Sequence, residues 1–221
     1  MKNFSILIIF ISCFLTANES IAQADNNDTK YTYKRGDYNG IGKWYMGREI
    51  AYVMGFQGIN WLERSDREIE EDVSSLIKNM EIKTDDTIAD IGAGSGYHVF
   101  KMAPLAENGL VYAVDIQPEM LEAIELKKRS KRVSNVKTVL GSEKSINLPK
   151  NSLDKILLVD VYHEFNYPVE MIESIKNALK PNGLLFLIEY KGEDSNVPIK
   201  KIHKMTEKQS VKEMKATGLK L

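Results

Sequence analysis

The chain has 221 residues, 43% of them hydrophobic and 28% charged, with a formal net charge of −1. That is enough for one sizeable core, and the near-neutral balance lacks the basic excess that nucleic acid or an acidic membrane surface attracts. The one cysteine, Cys13, lies in an N-terminal apolar run, so a chain shortened by removal of that run holds no disulfide, thiol nucleophile or thiolate metal site.

Lys2, the apolar run over residues 4–15 and the small-residue sequence Ala22-Gln23-Ala24 read as a secretory signal, residues 1–24, whose cleavage leaves Asp25 at the front. The run is too short to span a bilayer comfortably. Export to the periplasm or beyond is expected, with no membrane span after cleavage; an uncleaved anchor is the alternative. Residues 25–30 are polar and expected to be disordered. The rest of residues 25–64 alternates aromatics with glycines. A short helix is expected near residues 47–54, and Trp44, Tyr45, Met46 and Arg48 read either as a lid over a site or as a structural wrap.

The remaining residues, 65–221, form the main domain. Ser65 and Glu68 make a capping box, and Ile69, Val73, Leu76, Ile77 and Met80 recur at helical spacing, which predicts one helix over residues 65–80. Strands follow over residues 87–91, 110–114, 136–140, 153–159 and 184–188. Helices separate them: one from Gly96 that Pro104 should kink or end, one opened by Pro118, and one over residues 167–180 stopped by Pro181-Asn182-Gly183. A last helix opens at the capping box Thr206/Gln209 and ends at Gly218. The alternation implies an α/β fold: a doubly wound, mostly parallel sheet covered on both faces.

The chemistry concentrates in Asp90-Ile91-Gly92-Ala93-Gly94-Ser95-Gly96, between a strand and a helix, where open α/β sheets bind ligands. Asp115 ends the next strand, 19 positions beyond Gly96, where an acid can accept both hydroxyls of a ribose. The glycine spacing is G-x-G-x-G, not the dinucleotide G-x-G-x-x-G, and no Gly-Lys-Ser/Thr of a P-loop follows. A carboxylate at Asp90 would repel a pyrophosphate but suits a cofactor carrying an α-amino group and a sulfonium.

With these motifs, and with Leu157-Leu158-Val159-Asp160-Val161-Tyr162-His163-Glu164-Phe165 and Leu179-Lys180-Pro181-Asn182-Gly183-Leu184-Leu185, the chain resembles the class I S-adenosylmethionine-dependent methyltransferases from about Val73 onward. The resemblance implies the Rossmann-like methyltransferase fold and S-adenosyl-L-methionine as cofactor. It implies that Asp90 and the turn Gly92, Ala93, Gly94 and Gly96 hold the methionine part, Asp115 the ribose and Ile116 the adenine. Ser142 or Glu143 would substitute for the usual adenine-contacting group, and Asp160 would lie near cofactor and acceptor. Where the acceptor carries a proton that must leave, His163 and Glu164 are the candidates for general base; the alternative is that His163 packs or caps beside the sheet and Glu164 is solvated. Glu189-Tyr190 is a further pair, and Tyr97 either covers the cofactor or packs on its helix.

No Asp/Asn-Pro-Pro-aromatic sequence is present, and His98, His163 and His203 show no metal-ligand spacing; no metal and no nucleic acid are expected. The expected acceptor is a small molecule, with a protein or lipid left open. Two rivals stand beside this reading. One is a non-catalytic exported nucleoside-binding protein of the same fold. The other is a nicotinamide-dependent oxidoreductase, against which the missing fingerprint glycine argues. The resemblance implies a C-terminal antiparallel hairpin after the fifth strand of the parallel set; the sequence stops at Leu221, before it, as a truncated chain or a reduced variant, and the fifth strand is expected to be an open edge.

Overall fold

The computed structural model describes residues 6–12 and 30–220. Cys13, the expected cleavage site Ala22-Gln23-Ala24 and the polar run 25–29 lie outside the described residues. The strands are β1 (Ile6–Ser12), β2 (Tyr31–Tyr33), β3 (Gly40–Tyr45), β4 (Arg48–Ala51), β5 (Thr87–Ile91), β6 (Leu110–Asp115), β7 (Val136–Leu140), β8 (Leu153–Val159) and β9 (Leu179–Tyr190). The helices are α1 (Ile59–Leu62), α2 (Arg67–Glu71), α3 (Val73–Asn79), α4 (Val99–Met102), α5 (Pro118–Lys131), α6 (Pro168–Ala178) and α7 (Glu207–Ala216). Tyr162–Glu164 and Lys201–His203 each form a single 3-10 turn.

The main sheet runs β1-β9-β8-β5-β6-β7. Its last five members are parallel, the doubly wound arrangement expected. Strand β8 shows why both faces are covered. Its buried run alternates, with Ile156 and Leu158 in one core and Leu157 in the other, because successive side chains of a strand point to opposite faces. The first core holds Ile172 and Ile175 of α6 and Met214 of α7. The second holds Leu76 and Ile77 of α3, Val99 and Met102 of α4, and Ile124 of α5. The outer edge of β9 is not the open edge expected: it carries β1, antiparallel and in register from Ile6 opposite Tyr190 to Ser12 opposite Leu184.

Three local expectations are corrected. Residues 47–54 form no helix: β3 and β4 make a hairpin whose turn is Met46-Gly47, both at positive φ, 49° and 96°. That is the backbone twist a two-residue hairpin loop requires. Residues 65–80 are two helices, because Asp72 leaves the helical region with φ 46° and its carboxylate restarts the chain by accepting from the Ser75 N–H. Ser65 caps nothing; its hydroxyl donates to Asp66. Strand β9 begins at Leu179, before Pro181-Asn182-Gly183, and absorbs that turn as a shift of register against β8.

The second sheet, β2-β3-β4, encloses Tyr31, Tyr45 and Ile50 and packs on Tyr167 and Val169. Arg48 fastens it to the main domain, pairing with the buried Glu213 of α7 at 2.9 and 3.0 Å and donating to the His163 carbonyl at 3.0 Å. Among the described residues, no helix is long and apolar enough to cross a membrane.

Candidate functional site

A cavity of about 450 Å³ opens at the carboxyl ends of β5, β6 and β8, the place where ligands sit in such sheets. Gly92, Ala93 and Gly94 form part of its wall, with Asp90 at its base. The turn needs its glycines for space as well as for backbone. Gly92 has φ 70°, and a Cβ there would lie 2.4 Å from Val161 Cγ2; one on Gly94 (φ 53°) would lie 2.5 Å from Leu62 Cδ1. Gly96 stands behind this wall, against Phe100 and Ile124, and allows the helix to pack close.

Asp90 is 2% exposed, and its Oδ2 has no hydrogen-bond partner. A buried oxygen without a partner is costly in a folded protein, so this one is arranged for a donor the chain does not supply. Burial pushes the Asp90 carboxyl up to about 7; Arg67 opposes that shift and Asp115 adds to it. Asp115, at the end of β6, accepts from Gly94 N–H and Gln117 N–H, each at 2.9 Å, and is raised by burial while these backbone donors hold it down. Ile116, Ser142 and Glu143 also line the cavity. Glu143 accepts from the Asn166 side chain at 2.6 Å.

Asp160 follows β8 at φ 53°, a conformation that non-glycine residues seldom adopt and that is over-represented at functional sites. Its Oδ1 is buried without a hydrogen bond, and burial raises its carboxyl. The 3-10 turn that follows carries His163 and Glu164. The His163 ring is bonded at both nitrogens, Nδ1 to Glu189 Oε2 at 2.7 Å and Nε2 to His203 Nδ1 at 3.0 Å. Burial alone would lower its pKa, but Glu189, with Asp160 and Glu164 nearby, carries it up to about 9. Burial raises Glu164 to about 7, against its neighbour His163 and the Met54 N–H that it accepts at 3.1 Å. Burial and then His163 hold His203 down, at about 4.

The structure therefore brings Asp90, Gly92, Ala93, Gly94, Asp115, Ile116, Ser142, Glu143, Asp160, His163 and Glu164 to one cavity. It adds residues that spacing did not reveal. His203 arrives on a separate turn, 40 positions from His163. The part-buried Arg64 and the buried Arg67 and Glu71 form a group joined to the Tyr190 hydroxyl: Arg64 and Arg67 each meet Glu71, at 2.7 and 2.8 Å, and Tyr190 donates to Glu71 at 2.9 Å. Gln117 donates to the Met54 carbonyl at 3.0 Å. Trp44, Tyr45, Met46 and Arg48, read either as a lid or as a structural wrap, are not on the cavity wall; Val53, Met54, Trp61 and Leu62, from the later part of the same segment, are. The reason is the hairpin, which turns Tyr45 into its own small core and Arg48 toward Glu213. Tyr97 lies off the wall, with the Arg67 guanidinium 4.5 Å from its ring centre.

A family model described as a methyltransferase domain matches residues 82–219. The chain is 28% identical over 120 residues to the uncharacterized methyltransferase YcgJ of Bacillus subtilis, covering 54% of this chain and 47% of that one. It is 31% identical over 108 residues to the (S)-coclaurine N-methyltransferase of Thalictrum flavum, covering 48% and 29%. The chain thus spans about half the length, or less, of these curated relatives. Among solved structures, a SAM-dependent methyltransferase from Aquifex aeolicus superposes with a TM-score of 0.70 at 26% identity, over 75% of this chain and 89% of that one.

Proposed function

The chain belongs to the methyltransferase domain family, of the class I S-adenosylmethionine-dependent type, and on that premise we propose that it transfers a methyl group from S-adenosylmethionine to a small-molecule acceptor. The observation that carries this reading is the unpaired Oδ2 of Asp90 beneath the glycine wall. Its chemistry fits the cofactor: a buried carboxylate short of a donor suits an α-amino group, and a wall without side chains admits a ligand against the backbone. Asp90, Gly92, Ala93 and Gly94 would hold the methionine part, Asp115 the ribose, and Ile116 with Ser142 or Glu143 the adenine.

The cofactor supplies an activated methyl group on a sulfonium. What remains for the protein is positioning, which can be worth about 7–11 kcal/mol, and disposal of a proton when the acceptor carries one. Asp160 would stand between cofactor and acceptor, and the group His163, Glu164 and His203 would attend to the acceptor's proton. Val53, Met54, Trp61 and Leu62 would act as the lid that excludes water. A cavity of about 450 Å³ lies within the range that holds small ligands, which favours a small acceptor over a macromolecular one. The non-catalytic alternative gains no support, since the charged residues of the site are retained and drawn together.

The decisive experiment is calorimetry on the folded chain with S-adenosylmethionine and, separately, NAD. Micromolar binding of the first and none of the second is expected; binding of NAD alone would sink the assignment. We also propose export, on Lys2, the apolar run and Ala22-Gln23-Ala24. N-terminal sequencing of protein recovered outside the cytoplasm should begin at Asp25, and recovery of an intact Met1 chain only from the cytoplasm would refute it.

A further inference from the structure

His163, Glu164 and His203 present three donor atoms to one wall of the cavity. His163 Nε2 lies 3.0 Å from His203 Nδ1, and Glu164 Oε1 lies 3.7 Å from each of these nitrogens. A tetrahedral zinc with bonds of about 2.0–2.2 Å to nitrogen and oxygen needs donors about 3.3–3.6 Å apart. The observed triangle brackets that spacing on its three sides. The donor set is also suitable, because two imidazoles and a carboxylate favour zinc over the oxygen-seeking magnesium and calcium.

The surroundings fix the orientation. With His163 Nδ1 donating to Glu189 Oε2 at 2.7 Å, release of the proton shared between Nε2 and His203 Nδ1 would leave the Nε2 lone pair facing the other two donors. This is the carboxylate–histidine pairing that accompanies metal-bound imidazoles. The second grouping, on the opposite ring nitrogen with Asp160 and Glu189, fits less well, because its 2.7 Å contact falls further short of the spacing of about 3.3–3.6 Å than the 3.0 Å between the two histidines. Two 3-10 turns from distant parts of the chain converge here, and the 40 positions between the histidines hide the arrangement from any spacing rule.

We propose that His163 Nε2, His203 Nδ1 and Glu164 hold one zinc ion, with the fourth position facing the cavity. Three protein ligands and one open position are the pattern of zinc sites that act on a bound group rather than brace a fold. The open position would take water or the thiol or hydroxyl of the acceptor, whose proton the metal makes easier to lose. That last role rests on the methyl-transfer reading; the binding of zinc does not.

The test uses the untagged full chain with neither cofactor nor acceptor, so its failure is separate from a failure of methyl transfer. After dialysis against zinc and then metal-free buffer, elemental mass spectrometry should find one equivalent per chain. Cobalt(II) in its place should give the strong visible absorption of a four-coordinate ion. His203, on the partly exposed turn, can be changed with little risk to the core: His203→Gln, shown folded by circular dichroism, should retain no stoichiometric zinc. Glu189→Gln should weaken zinc binding about 10–100-fold. A folded wild-type chain that retains no zinc, or a His203→Gln chain that binds it as tightly as wild type, overturns the proposal and leaves the two histidines as hydrogen-bonded partners only.

Discussion

Asp90 and Asp115 do different work although both are buried aspartates beside the same turn. Asp115 already accepts two backbone N–H groups, whereas Asp90 keeps an oxygen without a partner. Its carboxyl stands at about 7, above an ordinary 3.8. The folded chain alone therefore favours protonated Asp90, a contribution complete below pH 3.8 and lost as pH rises through about 7. A ligand ammonium reverses the preference and expels the proton. Affinity for S-adenosylmethionine should rise as pH climbs through about 7, with proton release visible as buffer-dependent heat in calorimetry; Asp90→Asn should bind weakly and lose that dependence. Asp115→Ala should fold and lose about 1.5–3 kcal/mol of cofactor binding, the worth of hydrogen bonds to a charged group. Gly92→Ala combines a positive φ with the contact to Val161 and should cost roughly 1–3 kcal/mol in a denaturation curve. These residues were legible in the sequence because they lie in one contiguous strand-turn motif or at the end of the next strand. His203 was not, because its partner lies on another turn and nothing local marks it.

The elements divide in the same way. The five parallel strands announce themselves by short β-branched and apolar runs bounded by turn residues, and β5, β7 and β8 fall where the runs predict. The helix expected over residues 65–80 is a period match that local backbone chemistry overrules: Ile69 is 63% exposed, and the chain breaks at Asp72. The break has a use. It turns α2 so that Arg67 and Glu71 meet Arg64 and Tyr190 under the segment that covers the cavity. Glu71 neutralises two guanidinium groups in that buried setting. Glu71→Ala should therefore destabilise the fold by about 3–5 kcal/mol, seen as a lower urea midpoint, and should loosen the lid. The hairpin β3–β4 has no clear sequence signal, because its turn, Met46-Gly47, places methionine at a positive φ where asparagine or aspartate usually gives the signal.

Across the whole molecule, the order β1-β9-β8-β5-β6-β7 sets the site by placing three strand ends around one cavity. That order follows from alternation of elements, but the packing of a distant N-terminal strand on β9 has no local sign. In the full chain, β1 pairs the outward-facing backbone groups of residues 184–190; a chain beginning at Asp25 leaves that edge unpaired and open to association. Amides over residues 184–190 should exchange with solvent faster in the shortened chain than in the full one, as hydrogen-exchange mass spectrometry would show. On the export reading, the seven residues of β1 are both part of the address, residues 1–24, and an edge strand, and β9 is made late while β1 emerges first. Long-range pairing of this kind is slow. On that reading the destination of each copy would be settled by a race: a chain captured early would depart with its address readable, and one whose sheet closed first would stay behind with that address folded shut.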